Sequence, residues 1–196
     1  MISRILATSG SALALAALIS CDRSSLLDPS GLSPASEPNA GPGAEARLVP
    51  WKESYQASGT IAPGAPCPAP LMLVSLTGGG TATHVGKYTI VNSHCVDLAT
   101  GALTGGTFVK TAANGDRIFG TYSGSSAIIQ PPPIGIFSVT GTLHFTGGTG
   151  RFAGATGTAS MNGSLRADFS QPGVPVPAEV ELVMIGSISS PGSAKR

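Results

Sequence analysis

Thr156–Phe169 reads TGTASMNGSLRADF, and its side chains sort into two files by parity. Gly157, Ala159, Met161, Gly163, Leu165, Ala167 and Phe169 form one file; Thr158, Ser160, Asn162, Ser164, Arg166 and Asp168 form the other. Successive residues of a β-strand point to opposite faces, so the stretch predicts a strand with one buried and one wet face. The buried file mixes glycine with large residues, as small closed barrels do where neighbouring side chains must fit a taper.

Outward from this strand the same signal recurs at Lys52–Ile61, Leu71–Thr77, Ala82–Val96, Leu103–Thr111, Arg117–Ser123, Ile134–Phe145 and Val180–Ser189. Between two of these lies Ala113-Asn114-Gly115-Asp116, and Asn-Gly takes positive φ readily, which predicts a hairpin. In Val180–Ile188, Leu182, Met184 and Ile188 face one way while Val183 and Ile185 face the other, so both sides of that strand are expected to be covered by a loop or a second subunit. The fold class expected is all-β, with about eight strands in a meander closing an antiparallel barrel. Such a barrel is filled by side chains or holds one small ligand. Gly (27) and Pro (16) are abundant and long helical runs are absent, in keeping with many short strands. Aromatic residues are 5% and form no lipid-facing girdle, which argues against an outer-membrane barrel. Charged residues are 11%, with a formal net charge of +1, so no basic field exists to hold nucleic acid.

The N-terminus reads as an export signal over residues 1–20. Arg4 precedes the short apolar stretch Ala12–Ile19, which is broken upstream by Thr8, Ser9, Gly10 and Ser11 and falls short of the roughly 20 apolar residues of a spanning helix. Leu18-Ile19-Ser20-Cys21 resembles the lipobox of bacterial lipoproteins. That resemblance implies a Cys21 thiol carrying diacylglycerol, cleavage before it, and a membrane anchor held by more than one acyl chain. The other reading is an ordinary secretory peptide. The resemblance places the folded domain outside the cytoplasm in a bacterial envelope and leaves inner versus outer membrane open. Residues 21–50, rich in Ser, Pro, Gly and Ala, read as a disordered tether. A flexible coil of about 29 residues spans on the order of 30 Å. The barrel domain is expected over 51–190, with 191–196 as a disordered tail.

Phe145-Thr146-Gly147-Gly148-Thr149-Gly150-Arg151-Phe152-Ala153-Gly154 resembles the GGTGxF…G segment of the allene-oxide-cyclase-like and dirigent-like barrels, and Asn114–Tyr122 looks like their exported bacterial relatives. The resemblance implies an eight-stranded barrel, often oligomeric, in which Gly147, Gly148, Gly150 and Gly154 permit a tight turn and Phe152 plugs a barrel end. It carries no activity residue by residue. The segment lacks the Lys-Ser/Thr ending of a phosphate loop.

With Cys21 given to lipid, Cys67 and Cys95 remain, and in an oxidising compartment a leftover pair usually joins. A catalytic Cys95 beside His94 is disfavoured because adjacent strand residues point apart. His84 and His94, ten apart on one expected strand, would stand about 33 Å from each other, too far to share a metal. His144 alternates with Thr140 and Thr142 on a wet face. Asp97, Asp116, Asp168, Glu179 and Glu181 form no acid/base pair. Glu181, set among apolar neighbours, would become useful in catalysis if buried, though an exterior carboxylate is favoured. Asn162-Gly163-Ser164 matches a glycosylation sequon without meaning in a bacterial chain. Neither metal nor cofactor is expected. The function expected is a non-catalytic, membrane-tethered barrel module binding a small apolar ligand or an envelope partner. The alternatives are a cyclase- or isomerase-like enzyme whose cavity would be lined by Glu181, Tyr122 or a histidine, and an oligomeric structural protein of the envelope.

Overall fold

The computed structural model describes residues 47–171, 173 and 175–189. The expected signal peptide, Cys21, the tether as far as residue 46 and the tail 191–196 lie outside the described residues. Eight strands follow in order: β1 (Leu48–Ala62), β2 (Met72–Ala82), β3 (Gly86–Val96), β4 (Ala102–Ala112), β5 (Arg117–Gln130), β6 (Ile134–Gly148), β7 (Gly157–Asp168) and β8 (Val176–Ser189). Each pairs antiparallel with the next, and β8 returns to β1 from Leu48↔Ser189 to Ile61↔Val176, closing the barrel. Closure leaves no edge strand to recruit another chain.

Parity works as the sequence predicts. In β7, Ala159, Met161 and Ala167 are buried while Thr158, Ser160, Asn162 and Arg166 are exposed. Apolar side chains face inward and Ser/Thr outward, the reverse of a barrel that faces lipid. The Asn114-Gly115 hairpin forms, with Gly115 at φ +85° and Ala112 N–H donating to Asp116 O at 2.8 Å.

The strand expected over Ala82–Val96 is in fact the end of β2, a turn and all of β3. His84 (φ +66°) and Gly86 (φ +75°) adopt the left-handed conformations that reverse the chain there. Conversely, β2 continues through Gly78-Gly79-Gly80, which reads as a loop in sequence. Gly80 lies against the Tyr88 ring, whose hydroxyl would stand 2.6 Å from a Cβ at that position. The glycine is a space-maker inside a strand rather than a break. Residues 48–50, assigned to the tether, belong to β1, because the end of β8 pairs with them. Val183 and Ile185, expected to be covered, are 54% and 58% exposed.

The connections divide the barrel into two ends. Thr83–Val85, Ala113–Asp116 and residues 149–156 mark the turn end. Residues 63–71, 97–101, 131–133 and the described residues between β7 and β8 mark the loop end. Leaving β6, the chain passes through Gly147 (φ +154°), Gly148 and a 3₁₀ turn, Gly150–Phe152, in which Gly150 has φ +57°; Gly154 (φ +70°) then leads on toward β7. Phe152 is 1% exposed there, with Arg151 stacked 4.8 Å over its ring.

Candidate functional site

The inward files of β1, β3 and β4 carry polar residues at two heights. Near the turn end, Trp51 and Glu53 of β1, Tyr88 of β3 and Lys110 of β4 converge. Lys110 Nζ bonds Glu53 Oε2, Tyr88 O–H donates to Glu53 Oε1, and Trp51 Nε1–H donates to Glu53 Oε2 at 2.9 Å. The ammonium also lies 5.1 Å from the Trp51 ring centroid and 4.9 Å from that of Phe108, within cation–π range. Both charged side chains are fully enclosed. Burial lowers the pKa of Lys110, and the Glu53 carboxylate acts in the opposite sense. Burial also raises the pKa of Tyr88, with the Glu53 charge adding to it. Neither Lys110 nor Tyr88 borders a cavity at the loop end, so this cluster is a satisfied plug.

Toward the loop end a second polar row crosses the interior. Tyr55 O–H donates to Asn92 Oδ1 at 3.2 Å, Asn92 Nδ2 lies 3.4 Å from the Tyr122 hydroxyl, and that hydroxyl is 2.8 Å from His94 Nδ1. Room for the Tyr122 ring comes from Gly106 on the neighbouring strand, where a Cβ would meet ring carbons at 2.7 Å. Burial raises the pKa of Tyr55 and Tyr122, and it lowers that of His94 to about 4.

The row borders a cavity of about 30 Å³, whose remaining walls include Leu76, Leu143, Met161 and Leu182. A second cavity of about 40 Å³ lies next to it and reaches Leu98, Phe137 and Phe169 at the loop end. His94, Leu103, Val139 and Leu165 border both. Each is large enough for a water or two. The disulfide Cys67–Cys95 (Cα–Cα 5.5 Å) ties the β1–β2 loop to β3 one residue beyond His94, and His94 itself faces inward.

Of the residues singled out in sequence, the fold brings together Cys67 with Cys95 and His94 with Tyr122; it separates the other histidines and carboxylates. His84 sits in the β2–β3 turn with Nε2 3.1 Å from Pro50 O, and His144 faces outward on β6. Glu181 is exposed and accepts from Gln56 Nε2 at 2.9 Å. Asp97 caps the β3–β4 loop; N–H donation from Ala99 and contacts with Thr100 hold its carboxyl below the usual range. Asp116 lies 3.6 Å from Arg151, Glu179 lies 3.7 Å from Arg166, and Asp168 accepts from the Ser170 N–H. Among the described residues no three His, Cys, Asp or Glu side chains gather in a metal-binding group.

Sequence reasoning missed Glu53, Lys110, Tyr55 and Asn92, although the signal was present. Trp51, Glu53 and Tyr55 share a parity, as do Phe108 and Lys110, and as do Tyr88, Ile90, Asn92 and His94. A charged residue on an otherwise apolar file marks either a register break or a buried partner. No family model, curated protein or solved structure matches the chain.

Proposed function

We propose that this chain is an envelope lipoprotein, anchored through Cys21, whose barrel binds a slender, mostly apolar molecule end-on at the loop end. The observation that carries the binding reading is the pair of adjoining apolar cavities crossed by one hydrogen-bonded polar row. Apolar walls with a few convergent polar groups are the usual make-up of a small-molecule site. Of the four residues that border both cavities, Leu165 alone is not fully buried, so it is the part of the shared wall freest to give way to a ligand larger than water. The anchor rests on Leu18-Ile19-Ser20-Cys21 and the apolar stretch before it. Because β1 enters at the turn end, the binding mouth is at the end away from the tether's attachment.

Tyr122 and His94 in a cavity also suit a cyclase or isomerase, the second reading. The electrostatics favour binding. A general acid or base works best with a pKa near the operating pH. Burial moves Tyr122 up and His94 down, away from neutrality on both sides. Native mass spectrometry of the protein extracted from its host membrane tests both parts. The reading expects a mature N-terminal Cys21 with added acyl mass and a retained small molecule lost in the Leu165→Trp variant. A mature chain beginning elsewhere removes the anchor; an empty barrel that takes up no apolar probe removes the ligand.

A further inference from the structure

Resting on that ligand-binding reading, we infer that the molecule held at the loop end carries an uncharged acceptor oxygen, such as a ketone or ester carbonyl, bonded to His94 Nε2–H. The polar row runs in one direction. Tyr55 O–H donates to Asn92 Oδ1, since an amide oxygen has no proton to give. That orients the amide, so Asn92 Nδ2 donates to the Tyr122 oxygen. Among the described residues the Tyr122 hydroxyl has no other acceptor, so its proton points to His94 Nδ1 at 2.8 Å. A neutral imidazole whose Nδ1 accepts carries its proton on Nε2, and burial keeps this ring neutral.

Among the described residues no group accepts the Nε2 proton. Yet none of their enclosed side-chain nitrogens or oxygens lacks a partner. Nε2 therefore meets open space, and the space that His94 borders is the two cavities. The row ends in a free donor facing the ligand. Charge narrows the class further. No Lys or Arg lines either cavity, and Lys110 is held by Glu53 at the other height. A carboxylate would give up its hydration for one neutral N–H, whereas an uncharged carbonyl gives up far less.

NMR titration of the ¹⁵N-labelled mature protein with three probes tests this: 2-heptanone, 2-methyl-1-heptene (the same shape with CH₂ in place of oxygen) and heptanoate. The ring ¹⁵N shifts of His94 are expected to show the Nε2–H tautomer. The ketone is expected to bind about 3- to 10-fold tighter than the alkene, the size of one net neutral hydrogen bond, with heptanoate weakest. The His94 Nε2 resonance should move with the ketone alone. His94→Phe should erase the preference, bringing the ketone and alkene affinities together. If that variant does not fold, Tyr122→Phe, which frees Nδ1 and lets the tautomers mix, should narrow the preference instead. An Nδ1–H tautomer, equal ketone and alkene affinities, or tightest binding of heptanoate overturns the inference and leaves an apolar-ligand barrel standing. Failure of all three probes to bind overturns both.

Discussion

The two heights of the barrel interior solve the same problem in opposite ways. At the turn end, polar groups are buried together until none is left wanting: Glu53 takes bonds from Lys110, Tyr88 and Trp51, and aromatic rings enclose the ammonium. At the loop end, four uncharged groups share three hydrogen bonds and finish on an unclaimed nitrogen beside open space. The difference teaches where function can reside. A fully compensated charge pair in low dielectric is rigid, and breaking it is costly. A neutral row ending in a spare donor can exchange water for a ligand at small cost.

The largest expected effect comes from breaking the closed end. Lys110→Met leaves the Glu53 carboxylate buried without its cation and should destabilise the barrel by about 3–5 kcal/mol in urea unfolding. Glu53→Gln combined with Lys110→Met should recover most of that loss, since the amide oxygen in the Oε2 place still accepts from Trp51 Nε1–H while the amide N–H in the Oε1 place donates to the Tyr88 hydroxyl oxygen. A double variant as unstable as the single one would mean that packing, not charge, holds this end.

The open end leans on its covalent tie. Replacing Cys67 and Cys95 by Ala frees a loop of sequence separation 28 and should lower stability by roughly 3–4 kcal/mol on the chain-entropy model. Amide exchange should quicken first around residues 63–71 and 94–101. Uniform quickening at both ends would erase the distinction drawn between them.

Acid should sharpen it. The folded-state pKa of His94 is depressed from 6.5 to about 4. Between those values the unfolded chain takes up a proton that the folded one refuses. The contribution is therefore complete above pH 6.5 and is lost as pH falls toward 4, roughly 3 kcal/mol over the whole window. His94→Gln should flatten that part of the stability–pH curve; an unchanged slope would assign it to other groups. The smallest effect belongs outside the barrel. Glu181→Ala removes an exposed carboxylate bonded only by Gln56 and should change stability by less than about 0.5 kcal/mol.

Much of the frame was legible in the residues. Alternation in Thr156–Phe169 named the inward file of β7, Asn114-Gly115 placed the β4–β5 hairpin, and parity kept His94 and Cys95 on opposite sides. Boundaries were less so. The glycine run 78–80 imitates a loop because glycine serves equally to turn a chain and to make room for Tyr88. The His84 turn was hidden because nothing in a Thr-His-Val stretch demands positive φ.

The sequence by itself determined the all-β class and the side each residue takes within its strand, because strand period is a local property. Only the tertiary structure decided that Glu53 meets Lys110 57 positions away, that Tyr122 meets His94 28 positions away, and that Glu181 meets neither. Parity tells inside from outside. Height and position around a closed barrel depend on register across all eight strands, including the bulges at Ser93/Cys95 and Leu103/Gly106, and no single strand contains that information.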